Sequence, residues 1–215
     1  MTEYSVKPGK EELETARKIT EKGLDKASKL LPKDECVSIG LGWTGDPFVE
    51  ENMDGVAGKS YGSGHFHISF NTTPEKWKKA LLATAVHEYG HTWFYENIED
   101  EYTKVLWQYI LDEALTQNLA SKLAEYRSPW RTEHSESEIS EHWEDIRENI
   151  SREVTHPDPL YINQDEDGDH PNWLGYSLSY YIGKKLLETR SLEEFPELTK
   201  KDVLQAGDEL FGEDR

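Results

Sequence analysis

One short motif in the chain has residue types and spacing suited to hydrolysis: His87-Glu88-Tyr89-Gly90-His91, an H-E-x-x-H sequence. Histidines at positions i and i+4 of a helix project from one face about one turn apart. Both imidazoles can therefore reach a single tetrahedral ion at about 2.0–2.1 Å. The glutamate projects to the side of that ion, where a general base must lie to act on a water molecule. The motif predicts a divalent-metal site with a catalytic acid beside it.

A third ligand has to come from elsewhere in the chain, and Glu113 is the best candidate. The 21 residues between His91 and Glu113 fit the end of one helix, a turn and part of a second, antiparallel helix. The residues flanking Glu113 are apolar, which predicts that it faces inward: Ile110, Leu111, Ala114 and Leu115. Asp112 and Glu96 are the alternative ligands. Gln117 lies one turn after Glu113 on the same face, and we expect it to accept the second ring N–H of one histidine.

The elements that position these residues can be predicted from periodicity and from helix start and stop signals. Helices are predicted over 10–31, 73–95, 102–126, 138–151, 173–189 and 200–211, and strands over 37–43 and 65–71. Thr73-Pro74-Glu75 supplies a capping hydroxyl and a first-turn proline for the motif helix. Residues 44–64, rich in Gly and Asp, are predicted to form a loop. The result is one mostly helical α+β domain over 1–215, with a small antiparallel sheet before the H-E-x-x-H helix.

These motifs resemble those of the gluzincin metallopeptidases, which carry H-E-x-x-H on one helix and a glutamate ligand on the next. Within that group the chain is similar to a family of small domains described as predicted Zn-dependent proteases. The resemblance spans roughly residues 36–190 and is carried by three segments: 55–58 leading into 65–71, then 82–91, then 172–180. Family members tend to have E-G-L-A-E around the third ligand. This chain has Glu113-Ala-Leu-Thr-Gln117 there, so a neutral amide replaces the second acid.

The resemblance implies a zincin-like fold and a zinc-dependent peptidase with one Zn²⁺ per chain on His87, His91 and Glu113, although Co²⁺ and Mn²⁺ suit the same ligands. Glu88 would take the proton of the attacking water and pass it to the leaving amine.

Similar enzymes often supply a tyrosine or histidine from a late helix to stabilise the oxyanion. Tyr176 and Tyr180 lie one turn apart in the late predicted helix. Tyr176 is the expected donor, the alternative being a core or interfacial tyrosine.

His65 and His67 share one face of the predicted strand 65–71 and are candidate substrate-binding residues. The alternative is that they form an exposed strand face. A further alternative is that the strand pairs with the substrate backbone by edge addition.

Two weaker patterns point to other metal sites. Residues 163–168 match the opening of an EF-hand calcium loop, but Leu174 stands where that loop needs a glutamate, so an acidic turn is the favoured interpretation. Cys36 lies upstream of the motif, as the cysteine ligand of deformylases does. The glycine-rich companion motif of deformylases is missing, and we expect a buried structural thiol.

Composition excludes several classes of function. The 215 residues carry 43 Asp and Glu against 24 Lys and Arg, a net charge of −19, which disfavours binding to nucleic acid or to an anionic membrane. No apolar run approaches the ~20 residues of a membrane helix, and the first residues lack the apolar segment of a signal peptide. The single cysteine fits a reducing compartment. We therefore expect a cytoplasmic protein.

The acidic residues themselves have two interpretations. Their spread over the chain resembles the surface of a salt-adapted protein, whereas the 17 Lys among 24 cations are atypical of one, so halophily stays open. Segment 128–172 is the most acidic, with 13 Asp and Glu against 3 Arg. It is predicted to be an acidic insertion or lid, the alternative being a solvated face.

The function expected from the sequence is hydrolysis of peptide bonds in a peptide or protein substrate. Two alternatives remain open: a non-catalytic metal-containing binding or regulatory protein, and a metal-dependent amidohydrolase acting on a small substrate. Glu88 argues against the first, because a purely structural metal site has no use for an acid beside an open coordination position.

Overall fold

The computed structural model of the protein describes residues 9–99, 103–155, 158–162 and 170–212. The helices are α1 Lys10–Leu30, α2 Pro47–Asn52, α3 Trp77–Glu96, α4 Leu106–Leu123, α5 Glu136–Glu148, α6 Leu174–Leu186 and α7 Lys200–Phe211. The strands are β1 Ser38–Trp43, β2 Val56–Ser60 and β3 His65–Phe70, and short 3-10 helices cover Pro129–Thr132 and Leu192–Glu197. The predicted α+β, mostly helical class is confirmed. Of the described helices, none combines the length and apolar character needed to cross a bilayer.

The described residues form two compact units. The first unit comprises the chain up to Glu96 together with Leu119–Ser128, and the second comprises Asn97–Asn118 and the chain from Pro129 onward. The first unit contains the sheet and the helix that carries H-E-x-x-H. The second contains Glu113 and the last three helices.

The sheet of the first unit has the strand order β1-β3-β2. β1 pairs with β3 in parallel, and β2 pairs with β3 in antiparallel. The prediction of a loop over 44–64 is wrong where α2 and β2 form. The prediction of an antiparallel sheet is wrong for the β1–β3 pair, which is parallel. β2 escapes prediction because its sequence, VAGKS, has only one buried apolar residue and no alternation.

The core of the first unit lies between the sheet and α3. Phe66, Ile68 and Phe70 project from one face of β3 and are fully buried. Helix α1 packs on α3, and the two backbones approach closely at Gly23. A methyl group on Gly23 would lie 3.0 Å from the Cβ atom of Ala85. This close approach sets the position of α3 along the axis of α1.

The start of α3 differs from the prediction. The helix begins at Trp77, not at the Thr73-Pro74 cap, and the Asn71 side chain accepts a hydrogen bond from the Thr73 N–H at 2.9 Å. This bond forms an Asx turn at Asn71, and a tight turn closed by the Trp77 N–H on the Pro74 carbonyl at 3.2 Å precedes the regular helix.

The C-terminal end of α3 is held by a buried ion pair. The Lys33 ammonium lies 2.8 Å from the Glu96 carboxylate and donates to the Thr92 carbonyl at 2.9 Å. The Lys33 side chain is only 4% exposed and that of Glu96 15%. The cation therefore satisfies a carbonyl of the last helical turn as well as the carboxylate, as a C-terminal cap does.

The same segment also binds the middle of α3. The Tyr89 hydroxyl donates to the Leu31 carbonyl at 2.6 Å, and the Trp93 indole N–H donates to the Pro32 carbonyl at 2.9 Å. Burial, followed by the charge of Glu96, raises the pKa of Tyr89 to about 12, so the phenol stays a donor at neutral pH. The first variable residue of H-E-x-x-H is thus an anchor for the helix.

The second unit builds its own core around Trp143 of α5. Its indole ring lies against Gly207 of α7, where an added methyl group would come within 2.2 Å of the ring. Phe211 packs beside it, with ring centroids 5.8 Å apart. Helix α5 starts at a capping box formed by Ser135 and Glu138, slightly earlier than predicted. The single-domain boundary and the insertion or lid over 128–172 stay predictions.

We predict that Lys33→Met destabilises the protein by about 3–5 kcal/mol, because it leaves the Glu96 carboxylate buried without its cation. Urea unfolding followed by circular dichroism measures the change. Lys29→Met, at an exposed position in the last turn of α1, is the matched control and should stay within about 0.5 kcal/mol of wild type. Equal effects of the two substitutions would contradict the role of the ion pair.

Candidate metal centre

The two motif histidines converge on one point. The Nε2 atoms of His87 and His91 are 3.0 Å apart, and their rings meet edge to face with centroids 4.6 Å apart. Two nitrogens bound to one tetrahedral ion at 2.0–2.1 Å are separated by about 3.3 Å, so the observed spacing fits joint ligation. The His91 ring also stacks on Tyr95, one turn further along, at 6.1 Å. This stacking limits its rotation.

Helix α3 presents these histidines from a nearly rigid position. Fourteen of its 20 residues are buried, so the helix is enclosed over most of its circumference. A helix that is apolar on almost every side is typical of a core position. The ligand face is consequently fixed by packing on the other faces.

Glu88 lies to the side of the histidines and is buried, with only 4% exposure. The Ser60 hydroxyl donates to its Oε2 atom at 2.8 Å and also lies 3.1 Å from its backbone oxygen. Gly58 lies against the other side of the carboxylate, since an added methyl group there would come within 2.3 Å of Oε1. Sequence reasoning missed Ser60 and gave Gly58 no role at the site, because both belong to β2, which it assigned to a loop.

Glu113 lies on α4 in the second unit and is 3% exposed. The Gln117 amide donates to its Oε2 atom at 3.3 Å. Gln117 therefore contacts the candidate ligand itself, while its predicted bond to a histidine ring stays a prediction. Burial, and after it the charge of Glu113, raises the pKa of the fully buried Tyr161. The charge of Glu113 therefore acts on the Tyr161 phenol.

Each of His87, His91 and Glu113 offers one ligand atom, and these atoms all lie within 4.8 Å of one another. Within the described part of the chain, this is the one group of three or more His, Cys, Asp or Glu side chains with such spacing. The alternative ligand Glu96 is engaged by Lys33 instead. Asp112 and Cys36 do not belong to the group, and Cys36 is exposed, contrary to the expected buried thiol.

Tyr176, the predicted oxyanion donor, is half-buried on α6. Its ring meets Tyr161 edge to face at 5.0 Å and lies 6.3 Å from the ring of Trp130. Tyr180, one turn later, has the Arg131 guanidinium over its ring. The catalytic role of Tyr176 stays a prediction.

The structure does not bring His65 and His67 to the Glu88 side of the sheet. Ser60 pairs with Phe66, so it shares the core face of β3, whereas the two histidines alternate onto the opposite face. There His67 covers Gly40 and Gly42. The predicted pairing of a substrate backbone with the edge of this strand is wrong, because β3 is paired with another strand on both sides. The predicted calcium loop over 163–168 lies outside the described residues.

Comparison with known proteins gives one match. A family model described as "Predicted Zn-dependent protease (DUF2268)" matches residues 48–205, which include all three residues of the candidate metal centre. No curated protein and no solved structure matches significantly.

We predict that Gly58→Ala destabilises the protein by about 1–3 kcal/mol, because the new methyl group would overlap the buried Glu88 carboxylate. Urea unfolding measures the change. Gly64→Ala is the control, since nothing lies within 4 Å of the methyl group it adds. The packing of Glu88 against β2 would be refuted if Gly58→Ala were as stable as Gly64→Ala.

Proposed function

The chain belongs to the family of predicted Zn-dependent proteases, and from that premise we propose that it is a gluzincin-like zinc peptidase in which Glu88 is the general base. The observation that carries the proposal is the grouping of His87, His91 and Glu113 within 4.8 Å. The family name supports zinc and proteolysis only in general terms. The roles of individual residues are our proposal.

The donor set fits zinc. Two imidazole nitrogens and one carboxylate oxygen are the ligands of catalytic zinc sites that keep one position open, and the 3.0 Å spacing of the imidazole nitrogens suits one ion. When bound, Zn²⁺ supplies the Lewis acidity that activates water and polarises a carbonyl group. We propose one zinc per chain, with His87, His91 and Glu113 as its protein ligands.

Glu88 takes the proton from the attacking water and delivers it to the leaving amine nitrogen. Its burial at 4% exposure favours this role, because a carboxylate shielded from bulk solvent interacts strongly with the few groups it faces. A buried acid beside the ligands also argues against a purely structural metal site. Burying the acid there would cost free energy and contribute nothing to metal binding.

Gln117 and Tyr176 complete the proposed site. The Gln117 amide donates to one oxygen of Glu113 and limits rotation of the carboxylate. Tyr176 is the proposed donor to the oxyanion of the tetrahedral intermediate, since a phenol can hydrogen-bond a developing negative charge.

The sheet favours a peptide as the substrate. Within the described sheet, β2 pairs with β3 on one side only, so its other edge can receive an extended peptide by strand addition. Gly58 and Ser60 of this same strand contact Glu88. A substrate backbone paired with β2 would therefore run close to the general base.

Zinc content and peptide cleavage test this proposal together. Purified wild type and Glu88→Gln should each contain about one zinc per chain by plasma mass spectrometry, and Glu113→Ala should contain less, because it lacks one of three protein ligands. Wild type should cleave members of a quenched fluorescent peptide library. Glu88→Gln should lose about 10²–10⁴-fold in rate.

The control is Glu75→Gln, which alters an exposed acid just before α3 and should match wild type in zinc and in cleavage. Assays run from low to molar salt, because the net charge of −19 makes stability salt-dependent. Stoichiometric zinc without cleavage at any salt concentration would favour the binding-protein alternative. Absence of zinc after reconstitution would refute the site.

A further inference from the structure

We infer that Ser60 is a positioning residue for Glu88, holding its carboxylate in one orientation beside the metal ligands. The inference deepens the proposed function and rests on it. It stands on three observations within the first unit: a hydrogen bond, a close approach of backbone and the pairing of the strand that carries both contacts.

The hydrogen bond joins the Ser60 hydroxyl to Oε2 of Glu88 at 2.8 Å. A hydroxyl carries a single proton, and here it is directed to a charged acceptor in a buried setting, where such a bond is stronger than a neutral one. The same hydroxyl lies 3.1 Å from the Glu88 backbone oxygen. Ser60 thus contacts both ends of the Glu88 residue.

Gly58 restricts the other carboxylate oxygen. A methyl group on Gly58 would come within 2.3 Å of Oε1 and 2.6 Å of Cδ and Cγ of Glu88. The side chain therefore lies directly on the β2 backbone, and glycine is needed for this close approach. The terminal torsion of a glutamate is otherwise broad, so a contact at each oxygen selects one orientation.

The position of Ser60 is set by the sheet. Ser60 is the last residue of β2 and pairs with Phe66 of β3, while the Tyr61 N–H donates to the His65 carbonyl at 2.8 Å and closes the turn. Phe66 is fully buried in the core of the first unit. The hydroxyl is therefore held by the same core that holds α3.

Orientation matters because a general base acts only when its oxygen is within hydrogen-bond reach of the proton it accepts. A misplacement of about 1 Å can cost on the order of 10²-fold in rate. We therefore expect Ser60→Ala to lower kcat by about 10- to 100-fold, with KM within about twofold of wild type and with zinc content unchanged. Ser60→Thr keeps the hydroxyl and should restore most of kcat.

The matched control is Ser69→Ala. Ser69 lies on β3 in the same sheet, on the face opposite Ser60, and its hydroxyl points to the Ala57 carbonyl at 3.4 Å. It should keep wild-type kcat. If Ser60→Ala does not fold, Ser60→Cys, which has a similar volume but a weak donor, should show the same selective loss of kcat.

A double-mutant cycle tests the contact without any assay of activity. The urea midpoints of zinc-loaded wild type, Ser60→Ala, Glu88→Ala and the double variant are compared. If the hydroxyl holds the carboxylate, Ser60→Ala should lower the midpoint in wild type and have a much smaller effect once Glu88 is alanine. Additive shifts would overturn the inference.

The outcomes separate this inference from the proposed function. If wild type cleaves peptides and Ser60→Ala retains kcat, the positioning role is wrong and the peptidase assignment stands. If wild type cleaves no peptide, the proposed function fails, and the cycle alone decides whether Ser60 holds Glu88. A loss of kcat that Ser60→Thr does not restore would also count against the hydroxyl.

Discussion

The two histidines of the candidate metal centre depend on one constraint: helix α3 must neither rotate nor slide, because His87, His91 and the proposed general base Glu88 all lie on it. A rotation that moved His87 away from the shared point would move His91 and Glu88 with it. Packing prevents this movement. Gly23 brings α1 against Ala85, and the segment after α1 bonds the far end of α3 through Lys33. His87, His91 and Glu88 are thus held as firmly as the core of the first unit.

The buried carboxylates of Glu88, Glu113 and Glu96 each have a polar partner. Taking a carboxylate out of water costs free energy unless hydrogen bonds or charges replace the lost solvent. At Glu88 the Ser60 hydroxyl provides one such bond, at Glu113 the Gln117 amide provides another, and at Glu96 the Lys33 ammonium provides an ion pair. The Lys33 ion pair also caps the end of α3, whereas Ser60 and Gln117 are neutral donors to their carboxylates.

The sequence predicts the parts of the site that local geometry determines. The helical period places His87 and His91 on one face whatever surrounds them, and the apolar neighbours of Glu113 indicate that it is buried. Contacts that depend on strand pairing could not be predicted in this way. β2 carries too few apolar residues to show alternation, so the contact between Ser60 and Glu88, 28 residues apart, had no local signal. The start of α3 is shifted because a tight turn between Pro74 and Trp77 precedes the regular helix.

The surface charge and the site respond to salt in different ways. The net charge of −19 is spread over exposed side chains, whose mutual repulsion is screened when the Debye length falls to about 3 Å at molar ionic strength. The Ser60–Glu88 and Lys33–Glu96 contacts are each 2.8 Å long and partly buried. Salt screens partly buried contacts much less than it screens exposed charges. Salt should therefore affect the stability of the fold more than the contact between Ser60 and Glu88.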